Sequence, residues 1–145
     1  MNIVIVSGYF NPVHRGHIRL LRQARQLGDK LIVIVNNDVQ QRLKKGKIIM
    51  SEAERMEVVS AMRDVDEVVL SVDQDRTVCR TLELVAGRYA GSRIIFANGG
   101  DRSSTREIPE TAVCEQHGIV MRFGVGGGDK PQSSSNINQA LGLER

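Results

Sequence analysis

Ile3-Val4-Ile5-Val6-Ser7-Gly8-Tyr9-Phe10-Asn11-Pro12-Val13-His14-Arg15-Gly16-His17 is the stretch that decides the fold. It begins as a β-branched run, Asn2 to Ser7, too short for a helix and apolar on both faces, as a central parallel strand is. The Gly8 to Pro12 segment breaks that run. From Gly16 onward Ile18, Leu20, Leu21, Ala24 and Leu27 recur at helical spacing, and Gly28 suits a left-handed C-terminal cap. A strand, a glycine turn and a helix N-terminus carrying two imidazoles therefore meet at one end of a sheet, which is where an α/β fold keeps its ligands. Leu31 to Val35 repeats the buried-strand pattern and completes a βαβ unit, right-handed in nearly all cases.

The alternation continues along the chain. Asn37 to Leu43 reads as a short helix and Lys44-Lys45-Gly46-Lys47 as a basic loop. Ser51 with Glu54 three residues later is a capping-box signature, opening a helix that ends near Arg63. Glu67 to Val72 is the third strand, Asp73 to Arg76 an acidic, solvent-facing loop, and Thr77 to Tyr89 a helix. Arg93 to Ala97 is the fourth strand, broken by Asn98-Gly99-Gly100-Asp101; Ile108 to Gln116 is a helix and Ile119 to Phe123 a fifth strand. Gly124 to Gly128 then leads to Ser133-Ser134-Ser135, placed to cap a last helix. The pattern predicts one α/β domain over residues 1–145, a doubly wound sheet of five parallel strands with helices on both faces.

Composition narrows the function. A chain of 145 residues, 41% hydrophobic and 26% charged, is that of one globular domain. Aromatics are only 3%, too few for a platform on which single-stranded bases stack, so a nucleic-acid partner is not expected. The net charge of +3 suits a small anionic substrate at least as well as a polyanion. Cys79 and Cys114 lack metal-ligand or C-x-x-C spacing and read as buried thiols in a reducing compartment. No signal-peptide pattern or membrane-length apolar run is present, which points to the cytoplasm with no membrane partner.

His14 and His17, three apart at a helix start, lie on one side of the chain where free N–H groups attract anions, and Gly16 between them removes bulk where a phosphate must approach. Either histidine alone would be read as a cap or core residue. Gly8, Phe10, Pro12, His14, Gly16 and His17 together resemble the G-x-F-[D/N]-P-x-H-x-G-H signature of the nucleotidylyltransferase superfamily, in its cytidylyltransferase-like branch. That resemblance implies a Rossmann-like fold and extends to other blocks. The Lys44 to Lys47 segment resembles the family's lysine-bearing loop, with a solvated loop as the plain alternative. Arg55 follows Glu52 and Glu54 in a segment like the family's E-x-R helix, where it either adds charge at the site or pairs with those carboxylates. Asn98-Gly99-Gly100-Asp101 resembles the G-G-D block of sugar-phosphate adenylyltransferases, its glycines letting a nucleotide come close; an ordinary turn has the same composition. Ser133, Ser134 and Ser135 resemble the block that caps the last helix and binds β- and γ-phosphates. Glycerol-phosphate-type relatives carry R-T-x-G before those serines; here Lys130 stands in that region instead.

The resemblance implies transfer of a nucleoside monophosphate from CTP or ATP to a small phosphorylated sugar, polyol or cofactor precursor, with release of pyrophosphate. His14, His17, one or more of Lys44, Lys45 and Lys47, and Arg55 would then stabilise phosphate charge. Gly8, Tyr9, Phe10, Asn11, Gly16, Asn98, Gly99, Gly100, Asp101, Lys130 and Ser133 to Ser135 would bind the nucleotide. Mg2+ would bridge the phosphates. No metal ligand follows from the motif, because Asn11 stands where many relatives carry Asp. Relatives of this size are commonly dimers, so the resemblance admits a homodimer. A nucleotide-binding module without turnover is the alternative; a dinucleotide oxidoreductase is not, since the first turn lacks G-x-G-x-x-G.

Overall fold

The first strand, β1 (Asn2–Gly8), lies at the centre of a parallel sheet because its side chains are apolar on both faces, with Ile3 to Val6 fully buried. The computed structural model describes residues 1–99 and 108–126. Over these the elements are β1, α1 (Arg15–Arg25), β2 (Lys30–Val35), α2 (Asp38–Lys45), α3 (Glu52–Ser60), β3 (Glu67–Leu70), α4 (Cys79–Arg88), β4 (Arg93–Ala97), α5 (Thr111–His117) and β5 (Val120–Arg122). The strand order is β3-β2-β1-β4-β5, with β1 paired parallel to β2 from Ile3↔Lys30 to Gly8↔Val35 and to β4 from Asn2↔Arg93 to Ile5↔Phe96. The chain thus winds outward through β2 and β3, then returns to the other side of β1. The reversal leaves a crevice beyond the carboxyl ends of β1 and β4. This is the expected doubly wound five-stranded sheet.

Period-two alternation divides the core. Ile3, Ile5, Ile32 and Ile34 pack with Leu82 and Val85 of α4 and Cys114 of α5. Val4, Val6, Val33 and Val35 pack on the opposite face with Leu21 and Ala24 of α1 and Val59 of α3. Helices therefore cover both faces, as the alternation of elements predicts.

Three local expectations are corrected. Lys44 and Lys45 belong to the last turn of α2, and the loop begins at Gly46, whose φ of 79° makes it the left-handed cap. The cations extend the helix because they complement its C-terminal partial charge. Asp73 is not solvent-facing: it is 2% exposed and accepts from the N–H groups of Arg80 (2.9 Å) and Thr81 (3.0 Å) at the α4 N-terminus, where Val78 has no polar side chain to cap. Asp75, Arg76 and Gln74 are exposed as expected. The Thr77 hydroxyl on Asp75 holds that carboxyl below its ordinary range.

Gly28 is the third. Helix α1 ends in a right-handed Gln26 cap, and Gly28 is not in the left-handed region. It is needed for space, since a Cβ there would lie 2.7 Å from the Asn2 carbonyl oxygen and 2.8 Å from Val4 Cγ2. Gly28→Ala should therefore lower stability by about 1–3 kcal/mol through backbone overpacking. An unchanged thermal midpoint would contradict this reading.

The thiols also differ from each other. Cys114 is buried, whereas Cys79 at the start of α4 is half-buried. Burial, with the nearby Glu110 carboxylate, pushes the Cys114 thiol up to about 12 from 9.0. Its folded value lies above the unfolded one, so its contribution to stability is whole below that ordinary value and is lost as pH rises toward the folded value. The thermal midpoint of the native chain should fall more steeply through that alkaline window than that of Cys114→Ala; parallel curves would refute the assignment.

Candidate active site

The turn after β1 is built from the inside. Phe10 is 1% exposed and packs in the core against the α1 face, with a φ of 54° that few non-glycine residues adopt. Its ring folds back over Gly8, where a Cβ would come within 3.0 Å of it. Gly8 is thus a glycine because of Phe10. The Asn11–Pro12 peptide is cis. Asn11 is fully buried and donates from Nδ2 to Gln41 Oε1 at 2.9 Å. The motif reading has Phe10 and Asn11 binding the nucleotide, whereas both side chains are buried in the protein. The core has claimed both to shape the turn.

This shape delivers the two histidines. His14 is the N-cap of α1, and its Nδ1 accepts from the Gly16 N–H at 3.1 Å. His17 Nδ1 accepts from the His14 N–H at 3.1 Å. Two imidazoles thereby take the places that Ser and Glu occupy in an ordinary capping box. The chemical consequence is direct. An accepting Nδ1 carries no proton, so each neutral ring holds its proton on Nε2, on the side away from the capped backbone. The rings lie 3.9 Å apart at 32°, and Phe10 supports His17 from the core at 4.8 Å. A pair of oriented N–H donors at a helix N-terminus is suited to phosphate oxygens.

Lys44, in the last turn of α2, places its Nζ 4.4 Å from the Tyr9 ring centroid, so the structure brings the α2 cation to the motif turn. Lys47 is exposed beyond the Gly46 cap, and Lys45 is half-buried. Arg55 is not a free cation for phosphate. Its side chain is 0% exposed and bonds the carbonyls of Met50 (2.9 Å), Tyr9 (2.9 Å) and Asn36 (2.6 Å), and Asp38 Oδ1 at 2.9 Å. The expectation of a phosphate contact, and its alternative of exposed pairing with Glu52 or Glu54, are both replaced by a buried staple joining α3 to the motif turn. Tyr9 enters through its carbonyl in that staple.

At the end of β4, Asn98 is buried and donates from Nδ2 to the Phe96 carbonyl at 3.2 Å, while its N–H bonds the Arg122 carbonyl at 2.7 Å. A Cβ on Gly99 would meet the Val125 carbonyl oxygen at 2.8 Å. The glycine therefore admits the 124–126 turn, and that turn is pinned on α1 by Gly126 N–H to Gln23 Oε1 at 2.9 Å. Gly100, Asp101, Lys130, Ser133, Ser134 and Ser135 lie outside the described residues.

Among the described residues no group of three or more His, Cys, Asp or Glu side chains is placed to hold a metal ion. At this sheet edge the Asp38 carboxylate serves Arg55 and Gln41, and that of Asp73 serves the α4 amides. These two carboxylates do not form a protein cage for Mg2+.

Sequence reasoning missed Gln40 and Gln41, both 0% exposed. Gln40 Oε1 accepts from Asn36 Nδ2 and the Asn37 N–H, and Nε2 donates to the carbonyls of Asp75 and Thr77. Two adjacent buried amides in an eight-residue helix have no periodic signal, because hydropathy assigns both to the solvent face.

The fold and the paired imidazole cap define an α/β domain with a doubly capped helix N-terminus after its central strand. The chain belongs to the cytidylyltransferase-like family, whose model matches residues 5–113. It is 46% identical over 110 residues to the bifunctional protein HldE of Nitrosococcus oceani, covering 68% of this chain and 23% of that protein. It is 44% identical over 72 residues to the FAD synthase of Archaeoglobus profundus, covering 50% of this chain and 46% of that one. The chain thus spans about a quarter of the HldE proteins it matches and about half of the FAD synthases. Among solved structures, the lipopolysaccharide core biosynthesis protein of Thermoplasma volcanium superposes with a TM-score of 0.69 at 28% identity, over 91% of this chain and 99% of that one. A putative nicotinate-nucleotide adenylyltransferase of Vibrio parahaemolyticus, TM-score 0.66 at 16% identity over 97% of this chain and 86% of that one, shares the fold. No helix among the described residues is long and apolar enough to cross a membrane.

Proposed function

We propose that this chain is a nucleotidyltransferase that moves a nucleoside monophosphate from ATP or CTP to a small phosphorylated acceptor and releases pyrophosphate. The observation that carries the reading is the double imidazole cap, in which both Nδ1 atoms accept from the backbone, so that each neutral ring carries its proton on Nε2. An acceptor oxygen attacks the α-phosphorus, the bond to it forms, and the bond to the departing pyrophosphate breaks. The chain's residues position and neutralise; no covalent enzyme intermediate is formed. His14 and His17 donate to the α- and β-phosphates, and Lys44 adds charge from the end of α2. Ser133 to Ser135 and Lys130 hold the leaving pyrophosphate, and Gly100 and Asp101 border the nucleoside. Mg2+ accompanies the phosphates, carried by the substrate. FAD contains an adenylyl group, so the likeness to FAD synthase supports ATP as donor. The same reading has the protein acting in the cytoplasm as a homodimer.

The test has two stages. A thermal-shift series with ATP, CTP, GTP and UTP in the presence of Mg2+ identifies the donor, since a ligand of the native state raises the midpoint. Pyrophosphate release is then followed with that donor across sugar, polyol and cofactor phosphates. Release that depends on one acceptor is the expected result. Tight triphosphate binding without release across the panel would favour a nucleotide-binding module instead.

A further inference from the structure

Gln41 is held in a single orientation by groups that cannot exchange roles. Its Oε1 accepts from the Ile49 N–H at 2.9 Å and the Met50 N–H at 3.4 Å, and its Nε2 donates to the Met50 carbonyl at 2.9 Å and to Asp38 Oδ1 at 3.1 Å. Backbone N–H groups need an acceptor and a carbonyl needs a donor, so flipping the amide would break all of these bonds. The oxygen left facing the motif turn is therefore always an acceptor, and residue 11 must present a donor to it. Asn11 does so from Nδ2 at 2.9 Å. An Asp in that place would set oxygen against oxygen inside a fully buried pair.

We infer that Gln41 is a positioning residue of the candidate site, which fixes Asn11 and with it the turn that delivers His14 and His17, and which makes a neutral amide obligatory at position 11. The inference rests on the nucleotidyl-transfer reading only for its kinetic consequence. The hydrogen bonds of the Gln41 side chain go to Asn11, Asp38, Ile49 and Met50. Gln41 acts by tying the turn to α2 and to the loop before α3, whose Arg55 grips the Tyr9 carbonyl of the same turn.

The test compares Gln41→Leu, Gln41→Glu and Asn11→Asp in the full chain, at a temperature where circular dichroism shows each to be folded. Gln41→Leu should lower kcat at least about tenfold at saturating triphosphate, because a misplaced reacting group affects turnover more than binding. In Gln41→Glu one carboxylate oxygen still accepts, but the other faces Asp38 without a proton. Protonation restores the missing donor, so the ratio of its kcat to that of the native chain should rise as pH falls from about 8 to about 6. Asn11→Asp should show the same acid recovery, since a protonated carboxyl can again donate to Gln41. A purely structural role would change the fraction folded and leave kcat per folded molecule, and its pH ratio, unmoved. Full turnover in folded Gln41→Leu, or no acid recovery in Gln41→Glu, would overturn the inference. If the native chain releases no pyrophosphate with any acceptor, the functional reading fails; the 15N shifts of the His14 and His17 rings then decide for Gln41. Native-like Nε2–H tautomers in Gln41→Leu would refute it, and mixed tautomers would support it.

Discussion

His17→Ala should lower turnover by two orders of magnitude or more while leaving a folded chain. Removing one preorganised donor to developing charge costs about 10²–10³ in kcat. The same substitution also deletes the acceptor for the His14 N–H, a cap worth about 0.5–2 kcal/mol. The two effects are separable. His17→Glu keeps an acceptor at the position where a capping box carries Glu, and its charge is favourable at a helix N-terminus. Yet it sets a carboxylate where triphosphate oxygens must lie. The expected pattern is a lower thermal midpoint for His17→Ala than for His17→Glu, with turnover lost in both and triphosphate affinity weaker in His17→Glu. Pyrophosphate release close to that of the native chain in either variant would sink the assignment of His17 to phosphate.

The contrast explains what could be seen beforehand. Strand β1 and the imidazole pair were legible because their signals are local: an apolar run of strand length, a glycine turn, and two histidines three apart at a helix start. The parallel sheet with helices on both faces followed from the alternation of elements, whereas the order β3-β2-β1-β4-β5 is set by which strands pair across the fold. What the sequence hid is the use to which polar residues are put across long separations. Arg55 reads as an exposed helix cation but bonds Tyr9, which is 46 positions away. Asp73 reads as part of a polar loop but caps α4 from inside the protein. Gly28 and Gly99 read as a cap and a nucleotide cradle, yet each is required by backbone passing close by. In every such case the residue type was informative and the partner was not, because the partner is fixed only when the sheet brings distant loops to one edge.

Arg55 carries the second large effect, on stability before activity. Its guanidinium is fully buried, satisfies three carbonyls, and pairs with an Asp38 side chain that is 24% exposed. Replacement by Leu strands the carbonyls of Tyr9 and Asn36 and leaves the Asp38 carboxylate without its cation. Removing one partner of a buried pair costs about 3–5 kcal/mol, a large share of the roughly 5–15 kcal/mol that holds a domain together. Arg55→Lys should fall between, because one ammonium has three donors and no planar fork with which to span four acceptors. These losses should be seen in the ligand-free protein and change little with salt, since a buried pair is weakly screened. A phosphate-binding arginine predicts the opposite pattern: Arg55→Lys with a native thermal midpoint and a salt-sensitive loss of triphosphate affinity. Denaturant unfolding of the ligand-free chain at low and high salt therefore decides between staple and substrate contact. A midpoint for Arg55→Lys equal to that of the native protein would return Arg55 to the list of phosphate ligands.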